Sequence, residues 1–228
     1  MSTHGAAHRR RHQHPKRNPA DEIYVLPQTA FELIRPAMRA LSRLCWRIKY
    51  RGVENIPLKG GLVVAANHQS YIDPFWIGTE IKRPVRYLAW NEIFGWPVVG
   101  KLTGLLGAWP LEINGTDPTA IRRSLQWLKE GGAVVIFPEG GRGLPDGSMT
   151  KFKTGAVRMA LEANVPILPV TIRGAHRVWP KNRRLPRLVK VEIIYHAPIK
   201  IEPQPGDDAR VCARRESERL ADIIRSAL

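Results

Sequence analysis

Leu62-Val63-Val64-Ala65-Ala66 is the segment that most restricts how this chain can fold. A short unbroken apolar run has neither the two-residue alternation of a half-exposed strand nor the length of a buried helix, so it fits a strand covered on both faces. Gly60-Gly61 precedes the run and the polar cluster Asn67-His68-Gln69-Ser70 follows it. Strands of this kind belong to parallel sheets with helices on both sides, whose chemistry lies beyond the carboxyl ends of the strands. His68 stands at that end, and Asp73-Pro74 reads as a helix N-cap followed by proline at the first helical position. On a regular helix residues five apart diverge by about 140°, so contact between His68 and Asp73 needs a turn. A neutral imidazole can take a proton from a hydroxyl while a carboxylate fixes its tautomer. The spacing leaves two readings open, a general base with its carboxylate or a loop histidine beside a helix cap. One carboxylate has acceptor sites enough for both roles.

The remaining segments give the same class of fold. Asp117-Pro118 opens a helix to Lys129 that stops at Gly131-Gly132, and the strand Ala133-Val134-Val135-Ile136-Phe137 follows at once. Strands are predicted near Arg86 to Ala89, Ile167 to Ile172 and Lys190 to Tyr195, with helices from Pro74 and Asp208. Alternating strands and helices define a single α/β domain with a mostly parallel central sheet flanked by helices. Residues 91 to 107 form an apolar helical region interrupted by Gly and Pro. Its Ile93, Phe94, Trp96, Val98, Val99, Leu102, Leu105 and Leu106 suit either core packing or the lining of an acyl-chain groove. Gly95 to Lys101 imitates a phosphate-binding loop, but Leu102 stands where Ser or Thr must hold magnesium.

Ahead of this domain, Thr29-Ala30-Phe31-Glu32 has the form of a capping box opening a helix that reaches about Ile48 and contains Pro36. Phe31, Ile34, Met38, Leu41, Cys45 and Ile48 fall on one face, and Arg35, Arg39, Arg43 and Arg47 recur every fourth residue on the other. Such a helix can lie in a membrane interface, or pack on the core with a solvated arginine face. The expected organisation is a basic disordered tail over residues 1–27, an amphipathic helical segment over 28–50 and one domain over 51–228.

The 228 residues carry a formal charge of +16, which favours an anionic partner. The tail supplies part of it, and its His4, His8, His12 and His14 read as solvated. A basic loop with Lys181, Arg183, Arg184, Arg187 and Lys190 supplies more. Zinc-finger spacing and aromatic RNA-binding signatures are absent, which argues against nucleic acid and leaves an anionic membrane surface or an acidic carrier protein. Cys45 and Cys212 make no disulfide framework. Without an apolar span or a signal-peptide core, the chain is expected on the cytoplasmic, inner face of a membrane, held peripherally.

The second strand delivers Pro138-Glu139-Gly140-Gly141-Arg142-Gly143, where glycine amides beside a guanidinium suit a phosphate or carboxylate, or form a glycine turn with a solvated arginine. With both loops in view, the chain resembles the glycerolipid acyltransferases, in particular the 1-acylglycerol-3-phosphate acyltransferases, from about Gly52 to Ala197. Asn67-His68 with Asp73 matches the family's Asn-His-(four residues)-Asp signature, and Phe137-Pro138-Glu139-Gly140 with Arg142 matches its Phe-Pro-Glu-Gly-Thr-Arg block. Lys153-Thr154-Gly155-Ala156 and Val165-Pro166-Ile167-Leu168-Pro169-Val170 resemble two further blocks. The resemblance implies that His68 is the base and Asp73 its partner, and that Glu139, Gly140, Arg142 and Lys153 bind substrate around the acceptor phosphate. Two departures bear on the acceptor headgroup. Gly141 replaces the usual Thr, and Glu112 is followed by Ile113 where family members often carry Arg.

The implied reaction is direct transfer of an acyl group from acyl-CoA or acyl carrier protein to the hydroxyl of a lysophospholipid, with no metal or prosthetic group. A Gly-x-Ser-x-Gly elbow for a covalent acyl-enzyme is absent. The competing readings are an acyltransferase for another lysolipid or polar acceptor, a basic protein that binds nucleic acid or an acidic membrane and whose acyltransferase site is inactive, and a thioesterase that sends the acyl group to water.

Overall fold

The computed structural model describes residues 25–97, 99–112, 117–180 and 185–228. Residues 1–24 with the four tail histidines, Val98, Ile113, Lys181, Arg183 and Arg184 lie outside the described residues. Helix α1 (Gln28–Trp46) leads into strand β1 (Lys49–Arg51), then β2 (Leu62–Ala66), α2 (Asp73–Glu80) and β3 (Val85–Trp90). The region 91 to 107 becomes a 3-10 turn over Asn91–Gly95 and helix α3 (Val99–Leu105). There follow β4 (Ala108–Leu111), α4 (Pro118–Lys129), β5 (Ala133–Ile136), α5 (Gly155–Ala163), β6 (Ile167–Arg173), β7 (Glu192–Tyr195) and α6 (Ala209–Arg225).

The seven strands form one sheet in the order β1-β7-β6-β2-β5-β3-β4. Every neighbouring pair is parallel except β6 and β7. The central strand β2 is buried at every residue, as its unbroken apolar run requires. Leu62, Val64 and Ala66 meet Trp76 and Ile77 of α2 on one face of the sheet. Val63 and Ala65 meet Leu128 of α4, Val157 of α5 and Leu220 of α6 on the other. Each of these side chains contributes on the order of 1.5–3 kcal/mol when fully buried. The register of β2 against β5 pairs Leu62 with Ala133 and Ala65 with Ile136. Continued past the strand ends, that register sets His68 beside Glu139.

The N-terminal segment departs from expectation in three ways. Helix α1 begins at Gln28 without a side-chain cap, so Thr29 is inside it, and it ends at Arg47 in the left-handed region. Lys49–Arg51 joins the sheet by pairing with β7, which moves the start of the domain ahead of residue 51. Each predicted face of the helix is also divided between the domain and solvent. Arg35 donates through Nη2 to the Ile81 carbonyl at 3.1 Å, and Arg39 Nε lies 2.9 Å from the buried Glu80 carboxylate. Phe31, Met38 and Ser42 lie toward the domain, whereas Leu33 and Leu44 are each 82% exposed and Ile34 and Leu41 are exposed beside them. Among the described residues no helix is long and apolar enough to cross a membrane.

Candidate active site

The end of β2 is held before the catalytic candidates begin. Asn67 is fully buried, donates to the Ile172 carbonyl at 2.9 Å and accepts from the Ile172 amide at 2.7 Å, which locks the strand end to β6. The next residue, His68, faces Asp73 across a turn, with Nδ1 2.9 Å from Oδ2. The same carboxylate oxygen accepts from the amides of Gln69 at 2.6 Å and Ser70 at 2.7 Å. Asp73 therefore does not cap α2 as expected, because its side chain turns back onto the loop that carries the histidine. With Nδ1–H donated to Asp73, the lone pair of His68 sits on Nε2, the tautomer a general base needs. Asp73 is fully buried, and the His68 side chain is only 17% exposed. The imidazole stacks on Phe137 with ring centres 4.1 Å apart.

Glu139 makes its hydrogen bonds within the protein. One oxygen accepts from the His68 amide at 2.8 Å, and the other accepts from the amide and hydroxyl of Thr150 at 2.7 and 3.0 Å. With both oxygens occupied and the residue buried, Glu139 braces the histidine loop against the segment after Gly147. Gly143 completes the brace by donating its amide to the His68 carbonyl at 2.7 Å. Gly140 has φ +70, and its amide is used on the Phe137 carbonyl. A Cβ there would fall 2.7 Å from Lys153 Nζ, so the absence of a side chain lets the lysine lie across the loop. Lys153 is exposed and anchored through its own amide to the Pro138 carbonyl at 2.8 Å.

Arg142 lies flat on Tyr71, with Cζ 3.9 Å from the ring centre and Nη2 donating to the phenol oxygen at 3.0 Å. Tyr71 in turn meets Trp96 and Trp179 edge-on. The structure thus brings His68, Asp73, Glu139, Gly140, Arg142 and Lys153 to one end of the sheet. Sequence reasoning missed Tyr71, Gln69 and Asn67, although all three sit within or beside the histidine motif. Buried Gln69 donates to the Gly147 carbonyl at 2.8 Å and accepts from the Ala175 amide at 2.9 Å, joining a third loop to the site. Among the described residues no group of three or more His, Cys, Asp or Glu side chains is placed to hold a metal ion.

Phe137 and Tyr71 also line a cavity of about 370 Å³. Its walls come from Phe31 and Met38 of α1, Phe75 of α2 and Tyr87 of β3. Among the described residues of the region expected to form an acyl groove, Thr103 and Leu106 reach it, while Trp96, Val99 and Leu102 are exposed.

A histidine paired with a buried carboxylate thus stands at the carboxyl end of a buried parallel strand, stacked on a residue, Phe137, that also lines an apolar cavity. The Acyltransferase family model matches residues 47–173, and the chain belongs to that family. It is 28% identical over 185 residues to a chloroplastic 1-acyl-sn-glycerol-3-phosphate acyltransferase of Arabidopsis thaliana, covering 78% of this chain and 49% of the relative. It is 34% identical over 148 residues to the 1-acyl-sn-glycerol-3-phosphate acyltransferase of Pseudomonas aeruginosa, covering 62% of this chain and 55% of that one. The chain thus spans about half the length of these relatives. The crystal structure of the 1-acyl-sn-glycerophosphate acyltransferase PlsC from Thermotoga maritima is similar with a TM-score of 0.66 and 26% identity, over 88% of this chain and 81% of that one.

Proposed function

We propose that this chain transfers a fatty acyl group from an acyl thioester to the free hydroxyl of a lysophospholipid, with 1-acylglycerol-3-phosphate as the acceptor, in phospholipid biosynthesis. The observation that carries this reading is that His68, paired with Asp73, stacks on Phe137, a wall residue of the cavity it shares with Tyr71 and Phe75. A base alone fits many reactions. A base one ring away from an apolar void fits one whose substrate has a hydrocarbon tail.

In the proposed reaction Nε2 of His68 takes the proton from the acceptor hydroxyl as its oxygen attacks the thioester carbonyl. The carbon–sulfur bond then breaks, and the thiol of coenzyme A or acyl carrier protein leaves with the proton held by the imidazolium. Asp73 stabilises that imidazolium, and general-base help of this kind is typically worth about 10²- to 10⁴-fold in rate. The amides of Gly141 and Arg142, which have no backbone hydrogen-bond partner among the described residues, supply donors for the oxyanion. Arg142 and Lys153 hold the acceptor phosphate, with the arginine already oriented by Tyr71.

Peripheral binding at the inner face of the membrane gives access to the lysophospholipid, while the thioester donor arrives from the aqueous side. The exposed Leu33, Ile34, Leu41 and Leu44 of α1 support it as an apolar stripe that beds among acyl chains. Of the arginine face read from the sequence, Arg43 and Arg47 remain exposed beside that stripe and add attraction to an anionic surface.

The test is a panel of lysolipids incubated with labelled acyl donors, scoring both thiol release and labelled phospholipid. Transfer to lysophosphatidic acid above other acceptors is the expected result. Thiol release that ignores the lysolipid would make the protein a thioesterase.

A further inference from the structure

Helix α1 has a third side. Between the residues facing the domain and the exposed leucines runs a flank formed by Glu32, Arg35, Pro36, Arg39, Ala40 and Arg43. This flank faces Thr79, Glu80 and Lys82 at the end of α2, and the two segments enclose a groove of about 340 Å³. Four cations, Arg35, Arg39, Arg43 and Lys82, line it against the two carboxylates of Glu32 and Glu80. The surplus is positive, and one carboxylate is already committed, since Glu80 pairs with Arg39 at 2.9 Å. Arg43 and Lys82 are exposed and form no hydrogen bond or ion pair through their side chains with any described residue. Two uncompensated cations at the rim of a concave site recognise an anion.

The position on the helix selects which anion. Glu32, Pro36, Ala40 and Arg43 each precede by one residue a member of the exposed apolar stripe, Leu33, Ala37, Leu41 and Leu44. At about 100° per residue the groove therefore runs alongside the surface that beds into the bilayer. A molecule whose phosphate sits in the groove has its hydrocarbon directed where those leucines go. A soluble phosphate gains nothing from the stripe, and nucleic acid would have to meet it. We propose that the groove between α1 and α2 binds the phosphate headgroup of an anionic bilayer lipid, at a site separate from the one that acylates the acceptor. The proposal rests on the reading of α1 as the membrane-docking helix. Arg35 lines both the groove and the acyl cavity, so a lipid seated in the groove touches the wall of the cavity from behind.

The full chain is to be floated with vesicles of phosphatidylcholine and with vesicles of equal parts phosphatidylcholine and phosphatidylglycerol, at low salt. Three proteins are compared: the unaltered chain, Arg43→Gln with Lys82→Gln, and Arg210→Gln with Arg214→Gln. The last pair removes the same charge from exposed positions on α6, which covers the opposite face of the sheet. The groove pair is expected to lower partition onto anionic vesicles by roughly ten- to thirty-fold, the scale two surface-proximal cations supply, and to leave binding to neutral vesicles unchanged. The α6 pair is expected to stay within about two-fold of the unaltered chain. Equal losses from the two pairs, or none from the groove pair, overturn the groove and leave the membrane reading standing. An unaltered chain that floats with neither vesicle overturns both. Thermal melts in buffer identify any misfolded variant, and Lys82→Gln alone, expected to lose about five-fold, then replaces the double variant.

Discussion

The guanidinium of Arg142 and the phenol ring of Tyr71 form a single stacked unit, joined by a 3.0 Å hydrogen bond to the phenol oxygen. Tyr71 lies between His68 and Asp73 in sequence, so the residue proposed to hold the acceptor phosphate is oriented by the same loop that carries the base. Arg142→Ala is expected to raise the Michaelis constant for lysophosphatidic acid several-fold, with a smaller change for the acyl donor. A charge-assisted contact of about 1.5 to 3 kcal/mol sets the scale. Lysine should rescue only in part, since it cannot stack or present two parallel donors. An equal loss with a lysolipid lacking the phosphate monoester would make Arg142 a structural residue of the loop.

His68→Ala should cut turnover by about 10²-fold or more while the protein still folds, because the side chain lies beyond the strand end. Asp73→Asn is a harsher change, since one carboxylate oxygen serves three donors in a fully buried position. It should lower both turnover and stability, the latter by roughly 1–3 kcal/mol. Single-turnover rates together with urea midpoints separate the two effects, and near-normal transfer by folded His68→Ala would end the general-base mechanism.

Glu139→Gln tests the brace. Glutamine keeps the shape but offers one acceptor in place of two, leaving either the His68 amide or the Thr150 amide unpaired. We expect a fall in kcat of tenfold or more with both Michaelis constants nearly unchanged, the pattern of a positioning residue. A rise confined to the acceptor constant would return Glu139 to the phosphate site.

Gly78 of α2 packs against Tyr87 in the wall of the cavity proposed to take the acyl chain. A Cβ on Gly78 would lie 2.0 Å from the Tyr87 hydroxyl, and both residues line the cavity. Gly78→Ala therefore has to displace the ring, at a cost of about 1–3 kcal/mol in stability. Competition between acyl donors of graded length should show the variant shifted toward shorter chains, and an unchanged profile would place the hydrocarbon elsewhere.

Acid should destabilise the fold from near pH 6.5 downward. Burial lowers the pKa of His196 below its ordinary 6.5, and burial together with Arg177 does the same for His176. Below pH 6.5 the unfolded chain therefore binds more protons than the native one, and stability is lost as pH falls toward the lowered native values. Thr171 spends its hydroxyl proton on the Ile224 carbonyl, so His196 must donate from Nε2 to that oxygen. His196→Gln preserves a donor and should flatten the pH dependence of the urea midpoint between pH 7.5 and 5.5. A slope equal to that of the unaltered chain would remove His196 from the account.

The parts of the fold that were legible from sequence are those whose signal is local. β2 and β5 are buried on both faces and read as apolar runs, so their carboxyl ends, with His68 and Arg142, were found at once. β1 and β4 were missed because their signal lies in their partners. Lys-Tyr-Arg has no apolar pattern of its own, and Pro110 argues against a strand except at the sheet edge, where β4 lies. The periodicity of α1 separated two faces, but in the structure each is divided between the domain and solvent. Glu80 and the Ile81 carbonyl, at the end of α2, draw Arg39 and Arg35 inward and leave the leucines outside. Asp73 was read as a cap because the cap pattern ignores upstream donors, and three such donors turn its side chain the other way.

The pairing of β1 with β7 sets Lys49 opposite Glu192, so the strand next to α1 acquires its neighbour only when the last strand of the sheet has been made. Chains leave the ribosome amino end first, and pairings distant in sequence form late. The helix carrying Leu33 and Leu44 therefore emerges long before the edge strand that follows it can be fixed. A nascent chain halted ahead of residue 192 would already hold His68, Asp73, Glu139 and Arg142, yet would leave Lys49–Arg51 without a partner. In such a chain the helix would still hold its contacts with α2, the Leu26–Leu105 hydrogen bond and its share of the cavity wall, but would lack the anchor that β1 gives it at its carboxyl end.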